Sequence, residues 1–109
     1  MIARFWSAQT TLAQAPDYIE HLKAKVLPTL QSVDGYQGAM LLERGEDATV
    51  EVMVITWWNS LDAIRGFAGE DLDGAVVADE AAALLTRFDR RVRHYELVVR
   101  DDPSSPSQS

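Results

Sequence analysis

The 109-residue chain contains no cysteine. That excludes disulfides, thiolate metal sites and cysteine nucleophiles, and it fits a reducing cytoplasm, the expected location. Basic residues are scarce: 10 Lys and Arg stand against 17 Asp and Glu, for a net charge of −7. Binding nucleic acid requires a basic footprint that displaces counterions. The densest basic stretch, "RFDRRVRHY", is interrupted by Asp89. Neither nucleic acid nor an anionic membrane surface is therefore an expected partner. No apolar run approaches the ~20 residues that span a bilayer. The opening "MIARFWSAQT" carries Arg4 early and has no apolar core, so it reads as structure and not as a targeting segment. Glycines 66, 69 and 74 do not follow a strand at phosphate-loop spacing, and nothing resembles a serine nucleophile elbow. "GEDLDG" has too few oxygen ligands for a calcium loop, and His21 and His94 are too far apart for a zinc pair. No metal and no cofactor are expected.

What is present is a globular composition, 47% hydrophobic, of a length that suits one domain. That domain is expected over residues 1–100. The polar "RDDPSSPSQS" reads as a flexible tail over 101–109. Ile2 to Ala8 reads as a strand, with Arg4 and Trp6 on one face and Phe5 and Ser7 on the other. Pro16 and Asp17 open a helix whose apolar stripe is Ile19, Leu22, Val26 and Leu30. His21 falls nearly opposite that stripe and is expected to be exposed. Pro28 is expected to kink or end the helix near Val26 or Leu27.

After the turn "VDGYQG" come two strands, "YQGAMLLERG" and "VEVMVITWW", joined at "EDAT". The run from Val52 to Ile55 has no polar member, which predicts a strand covered on both faces. Ser60 caps a short helix with Leu61, Ile64, Phe67 and Ala68 on its buried face. Asp79 is expected to cap another helix containing Leu84, Leu85 and Phe88, and "RVRHYELVV" closes the chain as a strand. The order strand, helix, two strands, helices, strand predicts an α+β, ferredoxin-like βαββαβ unit with an antiparallel sheet. Its helices cover one sheet face. An apolar second face needs a cover of its own, and a second copy of the chain supplies one, so a homodimer is expected.

"TWWNSLDAIRGFAGED", with "HYEL" in the last strand, resembles the antibiotic biosynthesis monooxygenase family of dimeric α+β barrels. Trp58, Ser60, Asp62, Ala63, Ile64 and Phe67 fit its pattern, and the resemblance runs from Met1 to about Val99. It implies a pocket between sheet and helices that holds a planar aromatic or quinol-type molecule. The ligand would lose a phenolic proton, and its anion would supply electrons to oxygen without metal or flavin. The family's asparagine before the tryptophan is missing here, where Met53 and Val54 stand. Haem-degrading relatives carry an asparagine late in the first strand and a histidine after the tryptophan segment. Ser7 and Val77 occupy those places, which argues against haem turnover.

Trp58 is thus expected to line the pocket, with Phe5, Ser7 and Phe67 as further substrate-binding residues and Trp57 packing on the opposite side. His94 and Arg91 are the expected proton-handling residues, Arg87 and Arg93 being other cations within reach. Each has a plainer reading. A tryptophan in a small domain commonly packs in the core, and a lone strand histidine commonly holds a structural hydrogen bond. A non-catalytic binding or structural homodimer is the alternative to a cofactor-independent oxygenase.

Overall fold

The computed structural model describes residues 1–103, so the tail expected from 101 onwards lies mostly outside the described residues. Strand β1 (Ile2–Thr11) leads into α1 (Ala15–His21), a π-helical stretch (Leu22–Val26) and α2 (Leu27–Gln31). A hairpin follows, β2 (Tyr36–Glu46) and β3 (Thr49–Trp58), turning at Asp47 with φ 56°. Then come α3 (Leu61–Ala68), α4 (Asp79–Ala82), β4 (Arg87–Phe88) and β5 (Arg93–Glu96). The strand order is β2-β3-β1-β4, with β5 further along the same edge of β1, and every pairing is antiparallel. This is the expected ferredoxin-like α+β arrangement, its last strand split in two. No helix among the described residues is long and apolar enough to cross a membrane.

Pro28 does not end the first helix. The Leu27 N–H bonds to the Leu22 carbonyl, an i to i−5 step that widens the turn ahead of the proline. Pro28 then sits in the first turn of α2, where a missing N–H costs nothing. The helix also lies rotated from the expected stripe. Ala15, Tyr18, Leu22 and Leu30 are buried, while Ile19 and Val26 are only partly so. This rotation brings His21 round to the edge of the buried face, where it is half-buried and not exposed as expected.

The helix expected to run through Leu84, Leu85 and Phe88 stops at Ala82. The edge of β1 captures the chain instead. Thr10 Oγ1 donates to the Leu84 carbonyl at 2.6 Å, and the Thr86 N–H donates to the Gln9 carbonyl at 2.8 Å. Tertiary pairing overrides a modest helical propensity here. The strand expected over 91–99 keeps ladder pairing only from Arg93 to Glu96.

Alternation sorts the sheet into two faces. Arg4, Trp6, Ala8 and Thr10 of β1, with Val50, Val52, Val54, Thr56 and Trp58 of β3, meet the helices. Phe5, Ser7, Met53 and Trp57 face the other way and line an open depression of about 840 Å³ with Arg93 and Tyr95. The helix-side core forms two clusters. One gathers Ala8, Ala15, Tyr18, Val50, Val52 and Ala81; the other gathers Leu30, Trp58 and Ile64. Trp58 is wholly buried. At ~25 cal/mol/Å² over the ~150–250 Å² a tryptophan hides, its burial contributes at most about 4–6 kcal/mol.

Ser60 caps α3 as expected, its hydroxyl accepting from the Ala63 N–H at 3.2 Å. The approach to this helix explains Gly35. Its φ is +89°, and a Cβ there would lie 2.5 Å from the Ala63 Cβ. Gly35→Ala therefore adds left-handed strain to an overpacked contact, and urea unfolding should show a loss of about 2–4 kcal/mol. A loss under ~1 kcal/mol would mean that α3 yields without cost.

Candidate functional site

Between the two core clusters the helix-side packing opens into a cavity of about 80 Å³. Trp6, Tyr18, Val77 and Ala81 border it from the first cluster, Val26, Leu30 and Phe67 from the second. Arg4, His21, Leu22, Val54 and Thr56 complete most of the wall. The gap falls where β1 presents Arg4 to the helices. A guanidinium cannot be packed like a leucine, because its donors must be answered.

Arg4 is 4% exposed, and both its terminal nitrogens find partners. Nη1 donates to the Leu72 carbonyl at 2.6 Å and Nη2 to the Gly74 carbonyl at 2.7 Å. Nη1 also lies 2.9 Å from His94 Nε2. Arginine has no acceptor, so His94 Nε2 must present its lone pair. Its proton then sits on Nδ1, which faces Asp73 Oδ1 at 3.2 Å. The neutral tautomer is thereby fixed. Burial, and then the Arg4 charge, hold the His94 pKa below its ordinary value against the opposing pull of Asp73. Burial likewise lowers Arg4, with Asp73 opposing; the guanidinium stays charged. The guanidinium lies 5.8 Å from the centre of the Phe67 ring, a cation–π contact.

The sequence-predicted residues divide among three places. Phe67 lines the cavity. Trp58 does not reach it. It stands one layer behind, stacked on Phe67 at 5.8 Å and edge-on to Tyr36 at 5.4 Å. Its Nε1 donates to Thr56 Oγ1 at 2.8 Å, and Thr56 is the residue that meets the cavity. Phe5 and Ser7 lie on the opposite sheet face from Trp58, because β1 turns Arg4 and Trp6 towards the helices. Trp57 shares that open face, as expected of it. His94 does not border the cavity; its basic nitrogen holds Arg4. Arg91 is exposed, pairs with Asp71 at 2.7 Å and borders the open depression, so it does not meet the helix-side cavity. Tyr95 backs onto Phe5 there at 5.1 Å.

Sequence reasoning missed Arg4, Thr56, Tyr18 and His21 as cavity residues. A signal for Arg4 existed: a charged residue at an inward strand position rarely goes unused. Burial pushes the Tyr18 pKa up to about 12, so its phenol remains a neutral hydroxyl.

No known protein-family pattern and no curated protein matches this sequence. Solved structures do. A haem degrader, MhuD from Mycobacterium tuberculosis, solved with two haems in its active site, is 19% identical at a TM-score of 0.59, covering 94% of this chain and 100% of that one. A protein of unknown function from Nitrosomonas europaea is 18% identical at 0.61, covering 95% of each chain. A putative antibiotic biosynthesis monooxygenase from Bacillus cereus is 13% identical at 0.57, covering 95% of this chain and 97% of that one. The fold is the one these three proteins share. The resemblance seen around Trp58 is thus carried through the whole described chain at the level of fold.

The cavity does not fit a haem. A void of ~150 Å³ holds one benzene, this one is about half that size, and a haem is several times larger than either. Val77, the position at which the resemblance implied a histidine for haem turnover, contributes an aliphatic side chain to the wall.

The His94 contact fixes a pH dependence. The folded-state pKa lies below the unfolded value of about 6.5, so the unfolded state binds more protons between the two. Stability is then complete above that value and declines as pH falls towards the folded pKa. His94→Gln keeps an acceptor for Arg4 and cannot titrate. Thermal unfolding between pH 7 and 5 should show wild type losing stability relative to His94→Gln; a constant difference would contradict the buried neutral imidazole.

Proposed function

We propose that the protein is a cofactor-independent, monooxygenase-like enzyme that takes a small planar aromatic of quinol type into the helix-side cavity. The observation that carries this reading is the cavity itself: a largely apolar, aromatic-lined space between sheet and helices with a fixed cation, Arg4, on its wall. Apolar walls hold a flat ring and keep water out. A cation held in place beforehand favours the ionised form of a ring hydroxyl, since it need not reorganise as charge develops. The anion then supplies the electrons to dioxygen. At about 80 Å³ the cavity admits a one-ring ligand only as its wall gives, and the irregular segment between α3 and α4, which contributes Val76, Val77 and Ala78, is the part to move; a polycyclic ligand would have to displace it further.

Homodimerisation through the open sheet face belongs to the same reading, with a cytoplasmic setting. Met40 pairs with Ile55 and Leu42 with Met53, so β2 extends the apolar row of Phe5 and Trp57. Met40 and Leu42 are half exposed in the single chain, and the Trp57 Nε1 is buried there without a partner. Light scattering should give twice the chain mass for wild type and a monomer for a Leu42→Glu, Met53→Glu double variant; a monomeric wild type at micromolar concentration would refute this interface.

Oxygen consumption with hydroquinone and with hydroxyanthrones tests the chemistry. Wild type should consume oxygen, and Val77→Phe, which fills the cavity, should reduce the rate at least ~10-fold, about 1.4 kcal/mol in the barrier. Uptake that survives Val77→Phe would move the chemistry away from this cavity. A tight Soret complex on titration with haem would overturn the aromatic-ligand reading.

A further inference from the structure

Buried polar atoms in folded proteins are nearly always hydrogen-bonded, and each exception calls for an explanation. Among the described residues two buried side-chain nitrogens find no partner, Trp57 Nε1 and His21 Nε2. Trp57 belongs to the open sheet face. His21 borders the helix-side cavity. Several neighbouring polar groups of the wall are already engaged. Arg4 holds Leu72, Gly74 and His94; Trp6 Nε1 donates to the Asp89 carbonyl at 2.8 Å; Thr56 Oγ1 accepts from Trp58. His21 Nε2 is the ring nitrogen on this wall left to answer a ligand.

The chemistry of that nitrogen narrows the ligand. A neutral imidazole nitrogen carries either an N–H or a lone pair. A hydroxyl donates and accepts, so it satisfies His21 Nε2 in either tautomer. A hydrocarbon satisfies neither, and leaving the nitrogen orphaned costs ~1–3 kcal/mol. A carboxylate would bring a full charge into a small, largely apolar space. The walls around His21 are the Tyr18 ring, with centroids 6.5 Å apart, and the aliphatic Leu22, Val26 and Val77. They suit a ring face.

We propose that His21 is the recognition residue for the hydroxyl of a one-ring phenol bound in this cavity, Nε2 and that hydroxyl sharing a hydrogen bond. The proposal rests on reading the cavity as a ligand site, and it does not depend on oxygen chemistry. His21 ends α1, Leu22 and Val26 bound the π-helical stretch that follows, and all three border the cavity.

Two probes of nearly equal shape separate the hydrogen bond from ring packing: phenol, and toluene, which lacks the hydroxyl. Calorimetric titration of the full chain should show wild type binding phenol more tightly than toluene. In His21→Phe phenol affinity should fall ~10-fold or more, with toluene affinity kept within about 2-fold. Should His21→Phe fail to fold, unmodified protein carries the test. The chain has 2 histidines, so their imidazole nitrogens resolve by ¹⁵N NMR. Phenol should move the His21 Nε2 resonance and leave that of His94 in place, and toluene should move neither. Equal phenol affinity in wild type and His21→Phe, or no phenol binding by wild type, would overturn the proposal. Phenol binding through His21 with no oxygen uptake from any quinol would sink the oxygenase reading alone. Uptake abolished by Val77→Phe with phenol affinity indifferent to His21 would sink this proposal alone.

Discussion

A buried guanidinium organises the helix side of this protein. Removing a charge from water costs several kcal/mol unless partners replace the solvent, and Arg4 replaces it with two carbonyls and an imidazole lone pair. Those partners come from the loop after α3 and from β5, far along the chain. One inward-facing side chain on the first strand therefore ties down the Leu72–Gly74 segment and the final strand together. It also divides the core, since apolar packing cannot close over a group whose donors must be met. The cavity lies at that division.

The double tryptophan expresses the same geometry. Adjacent strand positions cannot share an environment, so one ring packs against the helices and the other against whatever covers the open face. Trp58 acts on the cavity through contacts, not by lining it. It supports Phe67, which carries the Arg4 cation on its outer face, and it orients the Thr56 hydroxyl by donating to it. The Tyr36–Trp58–Phe67–Arg4 series, an edge-on pair, a stacked pair and a cation–π contact in turn, ends at the cavity wall. A family motif that reads in sequence as a pocket residue is here the pocket's support.

The first helix shows how a proline and a cavity fit one element. The wide turn accommodates Pro28 without a break, and Leu22 and Leu30 on either side of it stay buried. Ahead of it, α1 turns Ala15 and Tyr18 inward where the simple stripe would put Ile19. That rotation places the His21 imidazole at the cavity edge.

The order of strands and helices, the antiparallel sheet, the Ser60 cap and the opposed faces of Trp57 and Trp58 were legible from local patterns, because strand alternation, capping and turn chemistry act over a few residues. The face that β1 turns inward was not legible. Arg4 and Trp6 alternate with Phe5 and Ser7, both sets mix polar with apolar groups, and hydropathy alone cannot rank them. That ambiguity carried Phe5 and Ser7 into the expected site and left Arg4 out, while His21 was left out because the rotation of α1 is equally a matter of packing. The sequence by itself determined the fold class and the elements that build it. Only the tertiary structure decided which side chains meet. Partners for Arg4 lie 68, 70 and 90 residues away, and desolvation of a charge is settled by the whole packed domain, not by its neighbours in sequence.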